Sequence, residues 1–246
     1  MNRQNPLLEV EDLTVRYGHV EAVRDVSFRV RPGEFVSIIG NNGAGKSSTL
    51  NAIAGVVKPA SGKIKIDGSE VQGLPAHAIV KHGISLVPEG RLIFADQTVM
   101  DNLLLGTYAR TNLSGETLQQ DLDGIFDLFP ILKERERQQA GSLSGGEQQM
   151  LALARGLLAQ PRLLMIDEMS LGLAPRVLET LFPVLELLNS QGLAILLVEQ
   201  LATLALKVAN RGYVFENSKI ILRGSAIELA RNEQVVEAYL GRRAAE

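Results

Sequence analysis

Three stretches of the sequence combine reactive residue types at spacings that chemistry can use. The first is GNNGAGKS, residues 40–47. Gly40, Gly43 and Gly45 let the backbone turn tightly, so N–H groups along Asn41, Asn42 and Ala44 can point inward at phosphate oxygens. Lys46 would place an ammonium on the β- and γ-phosphates of a nucleotide, and Ser47 would offer a hydroxyl to Mg2+. The helix expected next, with Ser48 in its first turn, adds its positive N-terminal end. The competing reading is an ordinary glycine turn capping a helix. The Lys–Ser pair, with a buried strand in front of the loop, argues against that.

The second stretch is LLMIDE, residues 163–168. Asp167 falls at the carboxyl end of an apolar strand, where a parallel sheet presents its ligand-binding edge. A carboxylate there can hold a Mg2+ shell, and Glu168 beside it can polarise an attacking water. A solvated acidic turn is the alternative, and a phosphate loop elsewhere in the chain weakens it. The third stretch is LSGGEQQ, residues 143–149. Ser144, Gly145 and Gly146 at a helix start offer a hydroxyl, free N–H groups and a helix dipole, which together make a second anion cradle. If two chains pack head to tail, this cradle closes over the γ-phosphate held by the other. The same residues are also good capping chemistry. Local physics admits both readings.

These residues need strands and helices to hold them. EFVSIIG (34–40) is nearly all apolar, as strands buried on both faces of a parallel sheet are. A helix should start at Lys46 and close at Gly55. LLEVEDLTVRY (7–17) and AVRDVSFRV (22–30) alternate in part, and further strands are expected at 62–68 and 84–88. Strand signals then give way to helical spacing. Beyond the LSGGEQQ helix, strands over LLMID, AILLVE, GYVFEN and KIILRG alternate with helices, one of which must accommodate Pro183. Such alternation implies βαβ units and a mostly parallel sheet. The expected organisation is a single domain. Its α/β core spans about 6–94 and 160–224, with a helical subdomain at about 95–159 and a helical tail at about 225–246.

Composition narrows the setting. The 246 residues include no cysteine, which excludes disulfides and thiolate metal sites. His19, His77 and His82 have no ligand-like partners at useful spacing. The net charge is −3 with signs interspersed, so no basic stripe points to nucleic acid. KERER (133–137) reads as a solvated helix face. The longest apolar runs are strand-sized, and MNRQNPLLEVEDL lacks the apolar core of a signal peptide. The chain is expected to fold in the cytoplasm, and a membrane role would need a partner that does the spanning.

LSGGEQQ just upstream of LLMIDE, with GNNGAGKSS far upstream, resembles the ATP-binding subunits of ABC transporters over essentially the whole chain. VPEGRLIF (87–94), SLGLAP (170–175), LLVEQ (196–200) and GYVFEN (212–217) look like the LivF-type ATPases of branched-chain amino-acid importers. Importers for urea, amides or short peptides share much of the pattern, and soluble non-transport ABC ATPases share the engine. The resemblance implies a phosphate-loop core, a small antiparallel β part and an inserted helical subdomain. It implies ATP and Mg2+ as ligands, Tyr17 stacked on adenine, and Ser144–Gly146 on the partner's ATP. It also implies a second ATPase subunit, two membrane permeases and, indirectly, an external solute-binding protein. The chain would then lie peripherally on the cytoplasmic face of the plasma membrane.

Three positions depart from the general ABC pattern. Glu89 stands where most members carry glutamine, linking Mg2+ and the water to the helical subdomain; a carboxylate there accepts but does not donate. Gln200 stands in place of the switch histidine that contacts the γ-phosphate. Met169 replaces the proline of the usual DEP. LivF-type chains share the first two. The loss of the histidine leads to the expectation of a heterodimer with an ATPase that retains it, a homodimer being the alternative.

Overall fold

The computed structural model describes residues 5–240. The chain opens with an antiparallel pair, β1 (Leu8–Tyr17) and β2 (Val20–Val30), then β3 (Phe35–Gly40) and α1 (Lys46–Ile53). β4 (Ser61–Ile66), β5 (Ser69–Glu70), α2 (Ala76–Ile79) and β6 (Ile84–Val87) follow. Next come α3 (Val99–Leu105), α4 (Gly115–Leu128), α5 (Pro130–Glu134) and α6 (Gly145–Leu158) with no strand among them. The chain then alternates through β7 (Leu163–Asp167), α7 (Pro175–Ser190), β8 (Ala194–Glu199), α8 (Ala202–Val208) and β9 (Arg211–Glu216). β10 (Lys219–Ser225), α9 (Ala226–Arg231) and α10 (Glu233–Val235) lead to the end of the described residues. Residues 241–246 of the expected helical tail lie outside them.

The strands form two sheets. One is antiparallel, in the order β2-β1-β4-β5; the other runs β10-β9-β3-β8-β7-β6 and is parallel except for β10. The apolar runs have their cause here: every residue of β3, β7 and β8 is buried. Successive side chains of these strands enter opposite cores. Phe35, Ile39, Leu164, Ile166, Ile195 and Leu197 pack with the helical subdomain. Val36, Ile38, Leu163, Met165, Leu196 and Val198 pack against α1 and the antiparallel sheet. Register pairs Ile39 with Glu199 and Asp167 with Val198. The carboxyl ends of the three strands therefore share one edge, with Gly40, Asp167 and Glu199 on it.

Several helices begin where a side chain caps them. Thr98 and Ser144 form capping boxes with Asp101 and Glu147, and Ser114 caps α4. Helix α7 runs through Pro183, whose ring lies on the exposed side, where water can satisfy the carbonyl the proline leaves free. One expectation is corrected. KERER is not a solvated helix face, because α5 stops at Glu134 and the chain turns. Arg135 Nη2 then reaches Glu147 Oε1 at 3.1 Å, in the first turn of α6.

Candidate active site

The phosphate loop leaves β3 at Gly40 and enters α1 at Lys46. Gly45 has φ +102°, and a Cβ there would lie 2.3 Å from the Ala22 carbonyl oxygen, so only glycine fits. With Gly45 as the N-cap, no side chain caps α1, and the first-turn amides remain available to an anion. The Lys46 side chain is only 3% exposed; Nζ donates to Gly40 O at 2.8 Å and Asn41 O at 3.1 Å, and meets Glu168 Oε1 at 3.0 Å. Ser47 Oγ donates to Asp167 Oδ1 at 3.0 Å.

These groups border a cavity of about 460 Å³, lined by Tyr17, Asn42, Gly43, Gly45, Lys46, Ser47, Ser48, Glu89 and Glu168. Asn41 and Ala44 face the other side of the loop, toward Phe215 and Tyr239. Burial pushes the Asp167 carboxyl up to about 6; the Ser47 bond opposes this, and the charges of Glu168 and Glu89 add to it. Glu89 reaches the cavity from two residues beyond β6, the strand beside β7. A larger cavity of about 810 Å³ lies at the opposite edge of the sheet, around Gly33, Arg162 and Leu193, away from all of these groups.

Glu168 sits in the left-handed region, at φ +46°, an uncommon state for a residue with a side chain. Its N–H donates to Val198 O at 2.9 Å, which holds the turn against β8. Gln200 is exposed just beyond β8 and is not among the residues lining the cavity.

Ser144, Gly145 and Gly146 do not line it either. Within this chain they start α6: Ser144 N donates to Glu147 Oε2 at 2.7 Å, and Ser144 Oγ accepts from Glu147 N at 3.4 Å. The capping reading therefore holds locally, and it leaves the cradle reading to a second chain. A Cβ on Gly146 would lie 2.7 Å from Val177 Cγ2, so the glycine lets α7 pack close.

Two groups escaped the motif reading. Arg91 Nη1 donates to Gln148 Oε1 at 3.2 Å, tying the Glu89 loop to α6. Glu199, only 1% exposed, accepts both polar hydrogens of Ser170. The sequence signals for Glu199 are a carboxylate closing an all-apolar strand and its place in LLVEQ, neither of which gives it a role.

The chain matches the ABC transporter family model over residues 23–170. It is 44% identical to the high-affinity branched-chain amino acid transport ATP-binding protein BraG of Pseudomonas aeruginosa, covering 96% of this chain and 100% of that one. It is 31% identical to BraF of the same organism, which carries the same description, over 96% of this chain and 98% of that one. Among solved structures, a dimeric post-hydrolysis state of an ATP-binding cassette bound to ADP and Pi shares the fold, with TM-score 0.79 at 24% identity, over 89% of this chain and 98% of that one. The matched span takes in the phosphate loop, Ser144–Gly146 and the Asp167–Glu168 edge, and the chain belongs to the ABC transporter family as one of its ATP-binding cassettes.

Proposed function

We propose that this chain is the ATP-hydrolysing subunit of a membrane importer for branched-chain or related amino acids. The observation that carries the ATPase reading is the convergence of Lys46, Ser47 and Glu168 on one cavity at the carboxyl edge of the parallel sheet, with Asp167 bonded to Ser47 beside it. The similarity to BraG supports the transport role and the cargo class.

Each residue has a part. Backbone N–H groups of the loop residues that line the cavity, from Asn42 to Ser48, cradle the phosphates, apart from Ala44, whose N–H is taken by Asn41 O; Lys46 holds the β- and γ-phosphates, and Tyr17, half exposed beside the loop, stacks on the adenine. Ser47 and Asp167 already converge, and Glu89 faces them; this hydroxyl-and-carboxylate set fits Mg2+, which binds through one or two carboxylates and the substrate's phosphates. When bound, Mg2+ neutralises charge on the phosphate oxygens. Glu168 orients and polarises the attacking water. Gln200 offers the γ-phosphate a neutral hydrogen bond, and Ser144–Gly146 do their work on ATP held by a second cassette.

That second cassette is a different subunit. BraF and BraG occur together in one organism, which supports a heterodimer. Among the described residues no helix is long and apolar enough to cross a membrane, so two permeases do the spanning and an external binding protein delivers solute to them. Between the core and the helical subdomain lies a cavity of about 590 Å³, bordered by exposed Leu92, Phe94, Leu105 and Tyr108. It fits an apolar permease helix on the cytoplasmic face of the membrane. The test is to tag the Glu168→Gln chain and isolate it from detergent-solubilised native membranes. Recovery of two permeases and a second ATPase supports the reading, and the binding protein associated with them gives the cargo. Permeases for urea, amides or short peptides would change the cargo alone. Recovery with no membrane protein would overturn the importer.

A further inference from the structure

Glu199 is a buried carboxylate to which the hydrolysis chemistry above gives no task. It ends β8, and both its oxygens are used: Ser170 N donates to Oε1 at 2.9 Å, and Ser170 Oγ donates to Oε2 at 2.6 Å. Ser170 lies two residues past Glu168, in the turn that presents it. Glu199 is the group that fixes Ser170 by two bonds, while the same turn is also held by backbone bonds, Glu168 N to Val198 O and Leu171 N to Glu168 O at 3.2 Å, by the Glu168–Lys46 ion pair and by the buried Met169 side chain. Its middle residue, Met169, has no ring to fix φ. Meanwhile Glu168 occupies a left-handed conformation that costs free energy and persists only if its surroundings enforce it. The residue after Glu199 is Gln200. One buried side chain therefore lies between the turn that carries Glu168 and the segment that carries Gln200.

We infer that Glu199 is a positioning residue for ATP hydrolysis, clamping Ser170 so that Glu168 and Gln200 keep a fixed relation to the γ-phosphate. Burial pushes its carboxyl above the ordinary range, and the two Ser170 bonds oppose this only in part. The inference rests on Glu168 acting on the attacking water. A misplacement of such a group by about 1 Å costs on the order of 10²-fold in rate, while a phosphate cradle built by other residues keeps its affinity.

The test uses the full-length chain and compares Glu199→Ala, Glu199→Gln, Ser170→Ala and Glu168→Gln. For each, kcat for ATP hydrolysis, the Kd for Mg-ATP and Tm are measured. Glu199→Ala should lose about 10²-fold in kcat with Kd within about twofold of the parent. Glu199→Gln should recover most of the rate, since its amide oxygen can accept from Ser170 N and its NH2 can donate to Ser170 Oγ. Ser170→Ala should lose roughly 10-fold with Kd unchanged, and it decides the matter if Glu199→Ala does not fold. Unchanged kcat in Glu199→Ala or Ser170→Ala overturns the inference. So does a loss of kcat, affinity and Tm in parallel, which would make the pair a support of the fold alone. Parent-like turnover by Glu168→Gln would remove the base, and this inference with it. An inactive Glu168→Gln beside a fully active Glu199→Ala would remove this inference only.

Discussion

The ammonium of Lys46 lies 3.0 Å from the carboxylate of Glu168, and both side chains are closed off from water. The group assigned to the phosphates and the group assigned to the water thus restrain each other across the cavity. A charge buried at this depth is costly once its partner is removed. Lys46→Ala should abolish ATP binding and also lower stability by about 3 kcal/mol, because Glu168 is left uncompensated. Adding Glu168→Gln to that variant removes the stranded charge and should return roughly 1–2 kcal/mol. Denaturant titration of the two single variants and the double variant reads this out. A double variant less stable than Lys46→Ala would show that the pair is not coupled.

At the other end of β3 a partly buried pair sets a pH dependence. Arg211 donates to Glu34 through Nε at 2.8 Å and Nη2 at 2.9 Å, joining the strand that feeds the phosphate loop to β9. Burial works against the Glu34 charge, but the Arg211 bonds and the Arg31 N–H outweigh it and hold the carboxyl below the ordinary range. With the folded value below the unfolded one, this stabilisation is complete above the ordinary glutamate range and is lost as pH falls through the folded value. Glu34→Gln should cost about 1–3 kcal/mol at pH ~7. The cost should shrink as the medium is taken below pH ~4. Denaturant midpoints of parent and variant across that range check the sign. A gap that widens on acidification would reverse it.

The sequence disclosed these elements unevenly, for physical reasons. FVSIIG, LLMID and AILLVE announce themselves because both their faces are buried, so apolar residues run through them with only the small Ser37 in their interior. The phosphate loop is legible because Gly45 has no steric alternative and the Lys–Ser pair follows at fixed spacing. The fate of KERER was not legible, since the partner that draws Arg135 out of a helix face is Glu147, at the start of a different helix. The left-handed Glu168 leaves no trace in composition, because Val198 across the sheet enforces it. The family resemblance alone places Glu89 at the nucleotide; no local pattern shows that it shares a cavity with Lys46, as that depends on strand order, with β6 placed outside β7.

The loop that carries Glu89 is tied to α6 through Arg91. Gly90, Arg91 and Leu92 all have positive φ, at 74°, 67° and 42°. Arg155 Nη2 donates to Leu92 O at 2.9 Å, while Arg91 bonds Gln148, whose own Nε2 donates to Leu143 O at 3.1 Å, next to Ser144. Arg91 therefore links the loop beside this chain's nucleotide to the serine–glycine cradle meant for another's. Arg91→Ala should leave ATP affinity near the parent value and slow steady-state turnover by roughly 10-fold. Gln148→Ala should do the same, and the double variant should be no slower than either single one. Strictly additive losses would mean that the two side chains act separately.

Gln200 gives the last prediction, about inequality between sites. On the proposed reading a glutamine offers the γ-phosphate a neutral hydrogen bond where the general ABC pattern has a histidine, so it carries neither a transferable proton nor a positive charge. Contacts that act on charge developing in the transition state are worth about 10²-fold or more in rate. In a pair with a cassette that retains the histidine, the site formed around this chain's Lys46 should turn over more slowly. Glu168→Gln here should then reduce steady-state hydrolysis by the assembled transporter less than the matching change in the partner does. Gln200→His should narrow that gap, raising this site's single-turnover rate by up to about 10²-fold. Equal losses from the two glutamate changes, with no gain from Gln200→His, would mean that the sites are equivalent and that the histidine's work is done here by other groups.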